Sequence, residues 1–390
     1  MKRVHFMGIG GSGISGVADL AKKMGYQVSG CDLETGGHDV KHLRNVDLVV
    51  ATPAVFYQSP KHPEVVEARK RKIFMTWQEF LGKYLQVGKK VICVAGTHGK
   101  STTTAIAGKL LIDAGLDPSV VVGANVPDWG GSSRFGHGKY FVVEADEFYD
   151  NFLNYDPDMI ILNNIEFDHP DYFKNEAAVK ASFRKFIQRL KGRKILITQK
   201  DSLHKRFNLK LFGEHNQKNA NMVYVLGKKL GIAEEKIISS LESFSGIERR
   251  MELILDKKEI KIYDDYAHHP TAIRATLAAL REKYPKNRIW TIVEPHGFVR
   301  TKALLPLYKN VFKDADKVII GPIFKARDQK TFGMTPQKIA EISGFPKASG
   351  VNSFDQITKI IKKGIKSGDI VLVMGAGKSN LWARAIAKLI

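Results

Sequence analysis

The segment Ala95-Gly96-Thr97-His98-Gly99-Lys100-Ser101-Thr102 joins an apolar run, Val91 to Ala95, to a helical pattern from Thr102 to Ala114. A strand that leads through a glycine turn straight into a helix is the repeating unit of a parallel α/β sheet, so this junction constrains the fold more than any other feature. Backbone N–H groups of such a turn, and the free amides of the helix start, converge where phosphate oxygens bind. A lysine neutralises them and a hydroxyl can hold Mg²⁺. The turn departs from the general phosphate-loop pattern, because Val94 and not glycine stands five residues before Gly99. A purely structural Gly-Lys-Ser turn is the competing reading.

A second junction opens the chain. Val4 to Met7 reads as a strand, Gly8-Ile9-Gly10-Gly11-Ser12-Gly13 as a glycine turn, and Ser15 to Lys23 as a helix. The next strand, Gln27 to Gly30, ends at Asp32. Further strands are expected at Val46–Ala51, Tyr140–Val143, Met159–Leu162, Ile195–Thr198, Ile260–Tyr263, Ile289–Val293, Lys317–Ile320 and Ile370–Val373. These are too many for one sheet, and at roughly 100–200 residues per domain a 390-residue chain holds two to four domains. Polar turns at Gly88-Lys89 and at Phe244-Ser245-Gly246 place boundaries that give domains 1–88, 89–246 and 247–390.

Composition excludes other classes. Apolar residues make up 44% and charged residues 26%, and no stretch reaches the ~18–20 apolar residues of a spanning helix, so neither a disordered chain nor membrane insertion is expected. Met1-Lys2-Arg3 runs directly into a strand, which predicts a cytoplasmic protein without a leader. With Cys31 and Cys93 alone, no disulfide framework or four-cysteine metal site is available, and buried inert thiols are expected. The formal charge of +21 is scattered in short clusters such as Arg69-Lys70-Arg71-Lys72, with no basic tail or interleaved aromatics. It predicts anionic small-molecule substrates and no nucleic acid.

Acids stand where a nucleotide would lie. Glu144-Ala145-Asp146-Glu147 ends one apolar strand and Asp168-His169 follows another, and in open α/β sheets ligands gather beyond the carboxyl ends of strands. Such oxygens suit Mg²⁺. In the first domain, Gly8, Gly10, Gly11 and Gly13 would let backbone approach a diphosphate, with Asp32 at the position of a ribose-binding acid. Alone, that fingerprint equally fits a nicotinamide dehydrogenase; the second phosphate turn argues against one. Gly375-Ala376-Gly377-Lys378-Ser379 mimics a third phosphate turn without an acidic partner downstream, and reads as structural or close to the amino acid.

Gly96-Thr97-His98-Gly99-Lys100-Ser101, Glu144-Ala145-Asp146-Glu147, Asn164 to Phe173, His215-Asn216 with Asn219-Ala220, and Asp264 to Thr271 occur in an order that resembles the Mur ligases, the ATP-dependent amino acid ligases of peptidoglycan synthesis. Within that family the opening His5 to Gly13, together with Pro295-His296 and Arg300-Thr301, is most similar to the alanine-adding branch. The resemblance implies an α/β protein of three domains: an N-terminal Rossmann-like domain for a UDP-sugar, a central ATPase domain with a mostly parallel sheet, and a C-terminal Rossmann-like domain for the amino acid. It implies ATP and Mg²⁺ as cofactors, and UDP-N-acetylmuramate and L-alanine as substrates of a monomer or weak homodimer. Amide formation would run through an acyl phosphate, with the domains closing on the nucleotide.

Carried over by position, Lys100 neutralises the β- and γ-phosphates within the loop Gly96, Thr97, Gly99 and Thr102. Ser101 and Glu144 hold Mg²⁺, and His169 a second one near the acyl phosphate. His98 approaches the muramyl substrate, His215, Asn216 and Asn219 contact adenine, and Arg250 and Asp265 reach the nucleotide. The glycine loop with Ser15 and Asp32 takes the UDP-sugar, and His268, His296 and Arg300 the amino acid. For the adjacent histidines His268-His269, a substrate loop is preferred over a metal site. The bland alternatives are a helix cap for the asparagines, an Asp-His loop brace for His169 and surface ion pairs for Arg250 and Asp265.

The chain is shorter than this family leads one to expect, with gaps between Asp32 and Val46 and between Asp201 and Phe212. The first removes a helix and strand near the uracil site, although loop trimming is thermodynamically mild. Gly297 stands where relatives place a second arginine, which leaves Arg300 to bind the amino acid's carboxylate. Phe183-Arg184 occupies the region of a modified lysine found in other branches, and its absence fits the alanine-adding one. The tripeptide-adding ligase of cell-wall recycling and a non-catalytic nucleotide-binding relative are the alternatives. Lys100→Ala is expected to abolish phosphate release with the fold intact.

Overall fold

A computed structural model of the chain describes residues 2–33, 37–59, 61–192 and 194–390. Met1 and residues 34–36 of the first gap lie outside the described residues. The strands fall into three sheets. The first contains β1 (Arg3–Met7), β2 (Gln27–Cys31), β3 (Leu48–Ala51) and β4 (Phe74–Thr76), all parallel in the order β2-β1-β3-β4. The second contains β5 (Lys90–Ala95), β6 (Ser119–Val126), β7 (Gly131–Arg134), β8 (Tyr140–Ala145), β9 (Met159–Leu162) and β10 (Ile195–Thr198) in the order β10-β9-β5-β8-β6-β7. Only β7 runs antiparallel there. The third contains β11 (Glu252–Lys257), β12 (Ile260–Asp265), β13 (Ile289–Glu294), β14 (Lys317–Ile320), β15 (Ala348–Gly350) and β16 (Ile370–Gly375), ordered β11-β12-β16-β13-β14-β15 with β11 antiparallel.

Central parallel strands are covered on both faces, and their sequences read accordingly as unbroken apolar runs. Lys-Val-Ile-Cys-Val-Ala of β5 is buried beyond its first residue, and β16 is buried throughout. In β13 the two-residue period splits the side chains: Ile289 and Val293 enter one core, and Trp290 and Ile292 the core on the opposite face. Two compact units result: residues 1–166, 179–209 and 218–245, holding the first two sheets, and residues 167–178, 210–217 and 246–390, holding the third.

Most expected strands stand within two residues of their observed ends. Five were not anticipated: β4, β6, β7, β11 and β15. β4 and β15 have three residues, too few for a period to register, and Gly-Ser-Ser-Arg of β7 has no apolar alternation. β6 is interrupted by Gly123, where a Cβ would lie 2.9 Å from Glu144 Oε2. Around the second expected gap, residues 202–213 form no helix or strand, and Asn221 holds Lys205 through both its backbone N–H (3.0 Å) and its carbonyl (2.7 Å). Cys31 and Cys93 are both buried and unbridged.

Candidate functional site

In the first unit, β5 ends at Ala95 and the helix Lys100–Asp113 begins after a four-residue turn. Gly96 (φ +140°) and Gly99 (φ +83°) hold backbone conformations that side chains disfavour, and a Cβ on Gly99 would sit 2.6 Å from Asn163 Nδ2 and 2.9 Å from Asn219 Oδ1. Both glycines are therefore required by close approach. Lys100 folds over the turn and donates to Gly96 O (2.7 Å) and Glu147 Oε2 (2.8 Å), with Asp146 at 3.9 Å. Burial works against its charge, but Glu147, Asp146 and Glu144 together outweigh burial and raise its pKa, so it stays protonated. Ser101 donates to Glu144 Oε1 (3.0 Å), and Glu144 Oε2 accepts from Gly123 N (2.6 Å). Thr102 is buried in the helix's first turn.

The loop after β9 closes the turn from the other side. Thr97 Oγ1 bonds Glu166 O (3.1 Å) and accepts from Glu166 N (2.9 Å), Asn164 bridges His98 N and O, and His98 Nε2 lies 2.8 Å from Glu166 Oε2. Asn163 donates to Thr103 Oγ1 (2.8 Å) and Asn219 Oδ1 (3.0 Å). The structure thus brings Asn219 to the phosphate turn. Glu147 and Glu166 lie within motifs quoted from the sequence but were given no individual role there, and Asn163 was given none either; its place directly after the buried strand β9 was the available signal.

The N-terminal glycine turn is shaped by the end of β2. Cys31 O accepts from Gly8 N (2.8 Å) and Ile9 N (3.2 Å), while Asp32 Oδ2 accepts from Gly10 N (3.1 Å). Asp32 therefore folds back onto the turn. Gly11 N donates to Gly8 O, Ser15 N to Gly11 O, and a Cβ on Gly13 would meet Trp77 at 3.3 Å.

In the second unit, Arg300 lies in the first turn of the helix Phe298–Leu304, behind Gly297 at φ +76°. Its Nη2 donates to Asp168 Oδ2 at 2.6 Å, both side chains being about nine-tenths buried. Burial alone would raise Asp168's pKa, yet Arg300 and the imidazoles of His169, His269 and His268 hold it far below the usual carboxylate range. Arg300 Nε is buried with no hydrogen-bond partner among the described residues, an unsatisfied donor fit for an anionic ligand. His268 Nδ1 is 2.7 Å from Tyr266 O, so that nitrogen carries the proton and Nε2 is left to accept. The His296 ring stands 5.5 Å from His268 and stacks on Phe324. Burial, followed by Arg300, pushes both histidines down, His296 to about 4.

That depression sets a pH dependence. An unfolded histidine titrates near 6.5, so as pH falls below 6.5 the unfolded chain binds a proton that folded His296 refuses until about pH 4. Its contribution is complete above pH 6.5 and gone by pH 4. Compared with wild type, His296→Gln should lose roughly 3 kcal/mol less stability in urea unfolding as pH falls across that window. A slope unchanged by the substitution would refute this.

The remaining predicted residues divide. His169, at φ +53°, has its N–H on Asp168 Oδ1 (2.7 Å). His269 caps the helix Pro270–Lys283 through Thr271 N, so it and His268 face different partners. Asp265 is buried and both its oxygens are taken by backbone N–H groups, of Met251 and Ala267 (each 2.8 Å). Arg250 lies over the Tyr266 ring at 4.9 Å, as does its neighbour Arg249, which sequence did not single out and which also holds Gly375 O and Ser379 Oγ. His215 and Asn216 start the helix Glu214–Lys229, where Asn216 donates to Phe212 O (2.9 Å). The turn Gly375–Ser379 cradles an anion of its own: Glu294 accepts from the N–H groups of Gly377, Lys378 and Ser379 at 2.9–3.0 Å. It is structural.

Comparison with known proteins follows the same order along the chain. Residues 3–87 match the family model described as Mur ligase family, catalytic domain, residues 94–207 the Mur ligase middle domain, and residues 249–377 the Mur ligase, glutamate ligase domain. A UDP-N-acetylmuramate–L-alanine ligase of Acetivibrio thermocellus is 34% identical, covering 96% of this chain and 93% of its own. That alignment spans 443 positions against 390 residues here, so the relative carries stretches this chain lacks. Among solved structures, the UDP-N-acetylmuramate-alanine ligase of Thermotoga maritima shares the fold (TM-score 0.80, 24% identity, 100% of this chain and 99% of that one). So does a murein peptide ligase of Psychrobacter arcticus (TM-score 0.72, 24% identity, 100% and 98%). With three successive domain models and a full-length relative at this identity, the chain belongs to the Mur ligase family.

Proposed function

We propose that this chain is an ATP-dependent ligase that joins L-alanine to the lactyl carboxylate of UDP-N-acetylmuramate through an acyl phosphate. The observation that carries the chemistry is the phosphate turn, with protonated Lys100 over it and Ser101 paired to Glu144. The full-length likeness to relatives named for this reaction supports the substrates. Domain boundaries near Gly88 and Gly246, a cytoplasmic location and a monomeric or weakly dimeric state are part of the same reading. No helix among the described residues is long and apolar enough to cross a membrane.

A carboxylate is unreactive toward an amine until its oxygen becomes a leaving group. The sugar's carboxylate oxygen forms a bond to the γ-phosphorus as the β,γ-bridging P–O bond breaks and ADP leaves; the amine nitrogen then bonds the acyl carbon, expelling phosphate. Lys100 neutralises the charge on the transferring group, and the amides of the turn orient it. The hydroxyl of Ser101 and the carboxylate of Glu144, 3.0 Å apart at a helix N-terminus, fit Mg²⁺, which takes one or two protein oxygens beside phosphates. It would offset phosphate charge there, and His169 is the proposed holder of a second ion. His98 is assigned to the sugar, the glycine turn with Ser15 and Asp32 to the UDP moiety, and His215, Asn216 and Asn219 to adenine. Arg250 is assigned to the nucleotide, and Asp265 supports it by fixing the adjoining loop. On the second unit Arg300 takes the amino acid's carboxylate, and His268 Nε2 accepts from its amine beside His296.

The test is phosphate release from ATP and Mg²⁺ with UDP-N-acetylmuramate and each of L-alanine, glycine, L-serine and the cell-wall tripeptide. Release requiring both the sugar and L-alanine is expected. Release only with the tripeptide would transfer the assignment to the recycling branch, and release with no pair would refute it.

A further inference from the structure

We propose that the first unit carries a structural zinc site formed by His5, Cys31, His42 and Glu64. One nitrogen, sulfur or oxygen of each lies within 4.8 Å of every other. His5 Nε2 is 3.2 Å from Cys31 Sγ, which is 3.5 Å from Glu64 Oε2, and His42 Nδ1 is 2.9 Å from Glu64 Oε1. Tetrahedral zinc with Zn–N near 2.0–2.1 Å and Zn–S near 2.3 Å needs donor separations on the order of 3.3–3.6 Å, so small adjustments close the set. One thiolate, two imidazoles and a carboxylate are a zinc-selecting combination.

The four donors come from β1, the end of β2, the 3-10 helix Val40–Leu43 and the helix Pro63–Lys70, so their meeting is tertiary and not an accident of local sequence. The centre is rich in acceptors. Cys31 has one S–H hydrogen but three partners, His5 Nε2, His38 Nδ1 (3.0 Å) and Glu64, and Glu64 is fully buried without a lysine or arginine ion pair among the described residues. At its margin, His62 stacks edge-on against His38, and its Nδ1 is buried with no hydrogen-bond partner among the described residues. A divalent cation held by His5, Cys31, His42 and Glu64 would balance the buried Glu64 charge and take the place of the one shared S–H hydrogen. The second ring nitrogen of His5 already sits 2.9 Å from Ser29 Oγ, the outer contact that fixes a ligating imidazole. Burial and Glu64 push the free Cys31 thiol up to about 12, so binding zinc would release its proton.

The site's role follows from what Cys31 holds. Its carbonyl accepts from Gly8 and Ile9, so anchoring Cys31 anchors the glycine turn. Metal binding can replace missing core as a source of folding stability.

The test uses the full chain expressed with zinc chloride in the medium. We expect one zinc per chain by elemental analysis, and a thiolate-to-metal absorption band when Co²⁺ replaces it. Chelation should lower the unfolding midpoint of the first unit by about 5–10 °C. Cys31→Ser should abolish the cobalt band. If that variant does not fold, His42→Ala, whose ring is partly exposed, should reduce zinc content to below about a fifth while circular dichroism stays native. Less than about 0.1 zinc per chain with zinc in excess would overturn the proposal, as would one zinc per chain that neither substitution removes.

Discussion

Lys100→Ala should lower ATP-dependent phosphate release by at least ~10³-fold, because it deletes the cation placed over the turn where the γ-phosphate is transferred. The structure adds a second consequence and corrects the expectation that the fold is untouched. Lys100 is a salt-bridge partner of Glu147, whose side chain is only 2% exposed, so the single substitution takes a cation away from a buried carboxylate. Losing one member of a buried pair costs about 3–5 kcal/mol. The informative protein is therefore Lys100→Ala with Glu147→Gln, which removes both charges. It should regain most of the stability by urea unfolding while phosphate release stays at the floor. Turnover within about tenfold of wild type in the double variant would contradict the role of Lys100, whereas recovered stability without turnover would separate chemistry from folding.

The parts of this molecule that sequence discloses are those written in short range. A parallel strand announces itself as an apolar run such as Val91–Ala95, a phosphate turn as glycines followed by lysine and hydroxyl, and a nearby acid as Glu144 at a strand's end. Pairings between distant positions are different. Asp168 with Arg300, 132 residues apart, and Glu294 plugging the turn Gly375–Ser379 depend on strand order, which no local period encodes. The third phosphate-like turn was legible as a shape; that its anion is supplied from β13 was not. Asp265 looked like a nucleotide contact, but its oxygens are spent on Met251 and Ala267. The cluster around Cys31 shows the same limit, since its donors are too far apart in sequence to form a spacing motif. Short edge strands such as β7 escape for a simpler reason: a polar four-residue edge carries no hydrophobic alternation.

Arg300→Ala should raise the KM for the amino acid by about 10³-fold while the KM for ATP changes little. The guanidinium spends Nη2 on Asp168 and keeps Nε buried without a hydrogen-bond partner among the described residues, so a substrate carboxylate would complete that donor. Truncating one partner of a buried charge pair costs 2–5 kcal/mol or more, and about 4 kcal/mol corresponds to that thousandfold change. Asp168 complicates the single variant, because alanine removes the guanidinium from its buried carboxylate and leaves the His169 backbone N–H and the neighbouring imidazoles. Arg300→Ala with Asp168→Asn answers this: a purely bracing role for Arg300 predicts that the second change restores amino acid use, whereas carboxylate recognition predicts that it restores stability alone. Arg300→Lys gives a graded check, since a lysine can keep charge near Asp168 but lacks the planar fork that reaches a second carboxylate. It should retain most of the fold and lose most of the affinity for L-alanine. An unchanged KM for the amino acid in both the lysine and the double variant would remove Arg300 from the substrate site and leave it as a brace for the loop that carries His169.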